Sequence, residues 1–233
     1  MSGLCGWFGA GDAGPGAIDA MAGALTRFDG GRARSAAVAS GAIAAAGRDA
    51  DVFQDAGWLA ATWGKLRFAD ADLAALAERH GAAHALARGY GRSGAGILAG
   101  VSGAFAAAVL NRGSGEAMLA IDRIGTRPLC YAVFGNRLVF GSTLDAISAF
   151  PGSTAEIDHQ ALYDYVYFHM IPGPHTIHAR RGRLLPGSLL AWRDGRAEQR
   201  RYWEMRFVEN QRRPFPELKE AFLASLRQSV RET

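Results

Sequence analysis

The chain has 233 residues, 49% of them apolar, and a formal charge of +4, enough for one well-filled core or for one domain and the start of another. Its two cysteines, Cys5 and Cys130, are too few for a disulfide framework and lack the paired spacing of a zinc site, so both read as reduced thiols and no metal is expected. The N-terminus has no charged start, and no stretch approaches the roughly 18 uninterrupted apolar residues of a membrane span, which points to a cytoplasmic protein without a membrane partner.

In chain order, residues 4–9 form a short apolar run between glycines and suit a buried strand. Residues 16–28 place Ile18, Met21, Ala22 and Leu25 at helical spacing. The stretch 31–64 reads as short strands at 36–39, 43–46 and 58–62, separated by Gly and Asp turns. An amphipathic helix over 71–80 follows, with Asp70 as N-cap and Leu73, Leu76 and Ala77 on one face, then a second helix over 82–90. Three strands, 103–110, 117–122 and 137–141, have the look of an antiparallel meander, and a short segment 144–150 is stopped by Pro151 and Gly152. Asp158 caps a helix reaching His169, and the loop IPGPHTIH leads to a strand pair, 183–185 and 188–193, joined by Pro186 and Gly187. The polar run ENQRRPFP reads as a linker, and 217–231 spaces Leu218, Phe222, Leu226 and Val230 for an amphipathic helix with nothing obvious to pack on. Strands interleaved with helices favour an α+β or layered arrangement.

One segment is more specific. LAIDRIGTRPLCYA (119–132) resembles the Asp-Arg-aromatic-Gly-x-Lys/Arg-Pro-Leu-Tyr-Tyr signature of class II glutamine amidotransferases, carried by Asp122, Arg123, Ile124, Gly125, Thr126, Arg127, Pro128, Leu129 and Tyr131. VSGAFAAAVLNR before it, LVFGSTLDAI after it, LLPGSLLAWRDGRAEQRRYWE (184–204) and the start MSGLCGWFG are similar to the family's other segments, in the same order. The resemblance is to the N-terminal half of asparagine-synthetase-like amidotransferases and covers 1–205. It implies a four-layer α/β/β/α sandwich of two antiparallel sheets, of the N-terminal-nucleophile (Ntn) hydrolase type. It also implies that 206–233 is a linker and the first helix of a synthetase-like domain, before which the chain stops. That domain, in cis or in trans, would use ATP and Mg; no cofactor is expected for 1–233 itself. Glutamine or ammonia would be the nitrogen source.

In such a hydrolase, removal of Met1 frees an α-amine that serves as base for its own side chain, with an unperturbed pKa of about 7.7 to 8.0. The nucleophile position of the family, normally Cys, is Ser2 here, which reads either as a nucleophile or as a small residue permitting Met1 removal. Cys5 reads as a buried strand thiol, or as a nucleophile if cleavage exposed its amine. The Arg-Gly-Pro-Asp loop is replaced by Arg27, Phe28, Asp29 and Gly30. The Asn-Gly-Glu that supplies an oxyanion-hole amide falls at Trp63, Gly64 and Lys65, so that only Gly64 is kept. The Asp for the substrate ammonium should fall at Ala82 or Ala83, and 81–90 holds no acidic residue. Arg48 stands where the family binds the substrate carboxylate, or is a surface arginine on a turn. Loss of an oxyanion donor lowers rates by about 10²- to 10³-fold, so the glutaminase pocket is read as degenerate. The competing reading is a non-catalytic scaffold domain of another ATP-dependent amide-forming synthetase, of lasso-peptide cyclase or β-lactam synthetase type.

Two weaker patterns remain. Arg180, Arg181, Arg183, Arg193, Arg196, Arg200, Arg201 and Arg206 would form a basic nucleic-acid surface if aligned, but they alternate through strands and turns without interleaved aromatics, so no nucleic acid is expected. His175 and His178 lie in a Pro/Gly loop without a nearby carboxylate and read as loop or core residues.

Overall fold

A computed structural model describes residues 2–11, 13–28, 30–207 and 213–232. Strand β1 (Gly3–Phe8) is followed by helix α1 (Ala17–Thr26), β2 (Arg34–Val38), β3 (Gly41–Ala46), β4 (Ala50–Gln54), β5 (Trp58–Gly64) and the short β6 (Arg67–Phe68). Next come α2 (Ala71–His80), α3 (Ala82–Ser93), a 3₁₀ stretch Gly94–Gly100, β7 (Val101–Ser102), β8 (Phe105–Asn111) and β9 (Ala117–Ile121). The remainder is β10 (Cys130–Phe134), β11 (Arg137–Gly141), α4 (Leu144–Ser148), α5 (His159–Phe168), β12 (Arg181–Arg183), β13 (Ser188–Arg193), β14 (Arg196–Arg201) and α6 (Phe215–Glu232).

Two six-stranded antiparallel sheets, ordered β12-β10-β11-β1-β3-β2 and β14-β13-β9-β8-β5-β4, pack face to face. Helices α1 and α4 cover the outer face of the first, and α2, α3 and the 3₁₀ stretch cover the outer face of the second. The result is the α/β/β/α sandwich that the resemblance implies. Alternation along each strand sends neighbouring residues to different layers. In β1, Leu4 and Phe8 enter the core between the sheets, whereas Cys5 and Trp7 sit under α1 and α4. In β8, Ala106, Ala108 and Leu110 face the other sheet while Phe105, Ala107 and Val109 face the helices. Central strands buried on both faces read as continuous apolar runs rather than as alternation.

Local signals map well. Asp70 caps α2 by accepting from Leu73 N at 3.0 Å, and Asp158 caps α5 by accepting from Gln160 N and Ala161 N at 2.9 and 3.2 Å. Sheet membership needs correction in two places. The strands at 103–110, 117–122 and 137–141 are not one meander: β8 and β9 pair in the second sheet, while β11 lies in the first between β10 and β1. The segments at 183–185 and 188–193 are likewise not a pair. Strand β12 binds β10 at the edge of the first sheet, and β13 binds β9 and β14 in the second. Both errors share a cause: the connections between these strands cross the sandwich instead of turning back along one face.

The first crossing is organised by Asp122. Its carboxylate, in a residue 1% exposed, accepts from the backbone N–H groups of Phe105, Ile124, Thr126 and Arg127 at 3.0–3.2 Å. Its carbonyl accepts from Gly125 N at 3.1 Å and from Gly187 N at 2.9 Å, so the return crossing rests on the same residue. Arg123 lies over the ring of Trp203 at 5.8 Å, giving that tryptophan a packing role.

Other parts are less enclosed. Helix α5 buries only Ala161 and exposes Tyr163, Tyr165, Val166 and Tyr167. Helix α6 exposes Phe215, Phe222, Leu226 and Val230. Of the 209–216 run read as a linker, residues 209–212 lie outside the described residues, as do Met1, Asp29 and Thr233. Among the described residues, no helix is long and apolar enough to cross a membrane.

Replacing Asp122 by Ala leaves four backbone donors without their acceptor, and a loss of about 3–5 kcal/mol in urea unfolding is expected; a loss under about 1 kcal/mol would show that the crossing is held by other means. Burial pushes the Cys5 thiol up to about 12 and raises that of Cys130. The native protein should therefore leave both unlabelled by a thiol-disulfide reagent near pH 8, with labelling appearing on unfolding. Rapid labelling of folded protein would mean that β1 opens locally.

Candidate functional site

The candidate residues meet at one end of the sandwich. Ser2 immediately precedes β1, and because Gly3 pairs with Ala46 of β3, Ser2 stands opposite Gly47. A Cβ on Gly47, which has φ 115°, would lie 2.3 Å from the Ser2 Cβ, so the left-handed backbone and the close approach together require glycine. Ser2 is half-buried and shares its face of the strand with Leu4 and Phe8, which enter the core between the sheets.

From Gly47 the chain passes through Arg48 and Asp49 into β4, and this short connection reaches Gly64. The Gly64 N–H donates to the Asp49 carbonyl at 2.8 Å, and Ala50 pairs with Trp63. Ser2, Arg48 and Gly64, distant in sequence, are thus gathered around one connection. Gly64 itself, with φ 102°, is fixed by its partner strand: a Cβ there would lie 2.1 Å from the Ala104 carbonyl oxygen.

Trp63 occupies the position at which the resemblance puts an oxyanion-hole amide. Its indole is 8% exposed, sits in the core between the sheets, and is covered by the Arg127 guanidinium, 4.5 Å from the ring centroid. Such a cation–π contact contributes about 0.5–2 kcal/mol, more as water is excluded. Arg127 Nε is buried with no hydrogen-bond partner and lies 3.3 Å from where a Gly64 Cβ would be. This pairing joins the signature turn after Asp122 to β5, and reading the signature alone did not reveal it.

Arg48 is exposed and lines a cavity of about 310 Å³ together with Arg32 and Arg34. Asp51 accepts from Ala83 N at 2.9 Å at the start of α3, where its Oδ2 would lie 2.2 Å from a Cβ on Gly81. Ala83, at the position expected for an ammonium-binding Asp, is fully buried in the core beneath α3. Of the stretch that replaces the Arg-Gly-Pro-Asp loop, Arg27 approaches Asp145 at 3.9 Å and Phe28 is exposed. Gly3 faces Ser142, whose Oγ accepts from Leu4 N at 3.0 Å. Cys5 points away from this end, into the layer beneath α1.

The weaker patterns are absorbed by the fold. Arg181 is 4% exposed and donates to Leu144 O, Ser148 Oγ, Ser153 Oγ and Thr154 O. Arg193 pairs with Glu116, Arg200 with Glu198, and Arg201 with Glu204, so these arginines do not form one basic face. The His178 backbone N–H donates to Thr176 Oγ1 at 3.2 Å, and burial lowers the pKa of its imidazole. His84, stacked on Phe53 at 4.1 Å, is also lowered, chiefly by burial and then by Arg88. Among the described residues, no group of three His, Cys, Asp or Glu converges to hold a metal.

Residues 64–203 match the family described as the glutamine amidotransferase domain. Over 106 residues the chain is 29% identical to asparagine synthetase [glutamine-hydrolyzing] 1 of Bacillus subtilis (strain 168), covering 45% of this chain and 17% of that protein. Among solved structures, glutamine phosphoribosylpyrophosphate amidotransferase from B. subtilis, complexed with ADP and GMP, superposes with a TM-score of 0.53 at 16% identity. The allosteric regulatory enzyme of purine biosynthesis gives 0.53 at 15%. Each covers 86% of this chain and is itself covered to 49%, so the chain spans less than half the length of all three proteins. Sequence match and shared fold agree: the chain belongs to the glutamine amidotransferase domain family.

Proposed function

We propose that this chain is the glutaminase-type domain of an asparagine synthase (glutamine-hydrolysing)-like amidotransferase whose own glutaminase site is degenerate. In this reading 1–205 is the amidotransferase-like domain, and 206–233 links it to a synthetase-like domain in cis or in trans, with α6 as that domain's first helix. The synthetase-like domain would bring ATP and Mg, taking its nitrogen from glutamine or ammonia, in the cytoplasm.

The observation that carries the reading is the state of the two positions from which an oxyanion would be stabilised. Hydrolysis at Ser2 would run through attack of its Oγ on the glutamine amide carbon, with the freed α-amine taking the proton. The tetrahedral oxygen then needs preorganised N–H donors. Position 63 offers an indole wedged between the sheets under Arg127, and the Gly64 N–H is already engaged by the Asp49 carbonyl. Each missing donor lowers the rate by about 10²- to 10³-fold. A serine hydroxyl, less acidic than a thiol, depends more heavily on its base.

The same observation favours a second reading, a non-catalytic scaffold domain of another ATP-dependent amide-forming synthetase, of lasso-peptide cyclase or β-lactam synthetase type. Under it the amine nucleophile comes from the acceptor, and no ammonia is released here.

The two share one test. Glutamate release should stay at the no-enzyme background for the Met1-processed protein and for its Ser2→Cys variant, because restoring the thiol restores neither donor. Turnover of glutamine by the variant at about 1 s⁻¹, within the ordinary enzyme range, would show that Trp63 and Gly64 do not disable the site.

A further inference from the structure

Several arginines elsewhere on this surface are paired: Arg88 with Asp55, Arg92 with Asp70, Arg193 with Glu116 and Arg200 with Glu198. The cavity at the Ser2 end of the sandwich departs from that pattern. Among the described residues its lining carries Arg32, Arg34 and Arg48 and no carboxylate, and none of the three is in an ion pair. We infer that this cavity binds a small oxyanion carrying two or more negative charges, a phosphate monoester or a dicarboxylate, rather than a zwitterionic amino acid.

Register places the three guanidinium groups. Arg34 of β2 pairs with Ala45 of β3, and it shares its strand face with Ala36 and Val38, which pack on the core between the sheets. Gly47 and Arg48 follow Ala45 out of the same strand, so Arg34 and Arg48 approach the cavity from adjacent chain segments. Arg32 enters two residues before Arg34, from the segment leading into β2. Three like charges around about 310 Å³ repel one another until an anion is present. Guanidinium forks suit carboxylate and phosphate oxygens, to which they donate in bidentate fashion.

An amino acid would need a partner for its ammonium as well. Asp51 is committed to the N–H of Ala83, and among the described residues no acidic side chain lines the cavity. A single carboxylate would also leave most of the positive charge unmatched. The inference rests on the preceding reading only in taking the cleft to be no longer a glutamine site, and the two fail in different experiments.

The test is calorimetric titration of the full chain at low ionic strength with inorganic phosphate, with glutarate and with L-glutamine, using sodium chloride at matched ionic strength as reference. Saturable binding of phosphate, of glutarate or of both is expected, with Kd below about 1 mM. The more tightly bound probe identifies which of the two oxyanion sources fits. Arg34→Gln and Arg48→Gln should each weaken binding about tenfold, while Arg196→Gln, on the far strand β14, should leave it unchanged. Because all three side chains are exposed, these variants should fold, and unaltered thermal unfolding would confirm it. Absence of saturable binding would overturn the inference, as would equal weakening by all three variants or displacement of glutarate by an equal concentration of L-glutamine. Glutamate release bears on the hydrolysis reading alone: a chain that releases none and binds no anion sinks this inference and spares that one.

Discussion

Four backbone N–H groups ending on one carboxylate hold the two halves of this sandwich in register. Asp122 closes β9, takes the N–H of Phe105 at the start of β8, and ties down the turn through Ile124, Thr126 and Arg127. From that turn the chain crosses to the first sheet, and through Gly187 the returning chain is fastened to the same residue. A buried carboxylate is tolerable only because its lone pairs are fully occupied. The same turn delivers Arg127 to the face of Trp63, so the junction that orders the fold also shapes the cleft.

The cleft itself follows from the way the sheets are filled. Alanines at 45, 61, 106 and 108 face one another across the centre, which lets the sheets approach closely. Larger groups complete the packing toward the ends: Phe8 against Phe140 at 4.9 Å, and Trp63 where β5 meets the β3–β4 connection. Close-packed interiors leave no room for both an indole and a ligand at one point. Beyond Gly47, among the arginines, space stays open.

Much of this was legible before any coordinates. Asp70 and Asp158 announce helix starts because a cap is a bond to an N–H two or three residues on, and such signals are local. The buried run of β1 was also plain. Which sheet a strand joins is not local, so the sequence groups 103–110, 117–122 and 137–141 in one meander and 183–185 with 188–193 in one pair although each group spans both sheets. Strand β14, Arg196–Arg201, is a polar edge strand with no apolar period to mark it. As for the site, Ser2, Arg48 and Gly64 were reached through resemblance to a family rather than through their spacing. The indole–guanidinium contact of Trp63 and Arg127 joins residues far apart in sequence, and Arg32 just before β2 and Arg34 at its start carry no signal until Arg48 is brought beside them.

That indole has a bearing on how the domain can change. Exchanging Trp63 for a residue with an amide would empty space between two sheets and strip Arg127 of the surface it rests on. Loss of a buried aromatic typically destabilises by about 3–5 kcal/mol, against a total stability of about 5–15 kcal/mol for an ordinary domain. Any route to an amide at this position therefore runs through a weakened intermediate, and the present filling acts as a ratchet: substitutions at the arginine-lined mouth leave the core intact, whereas a change at Trp63 must come with compensating changes around it.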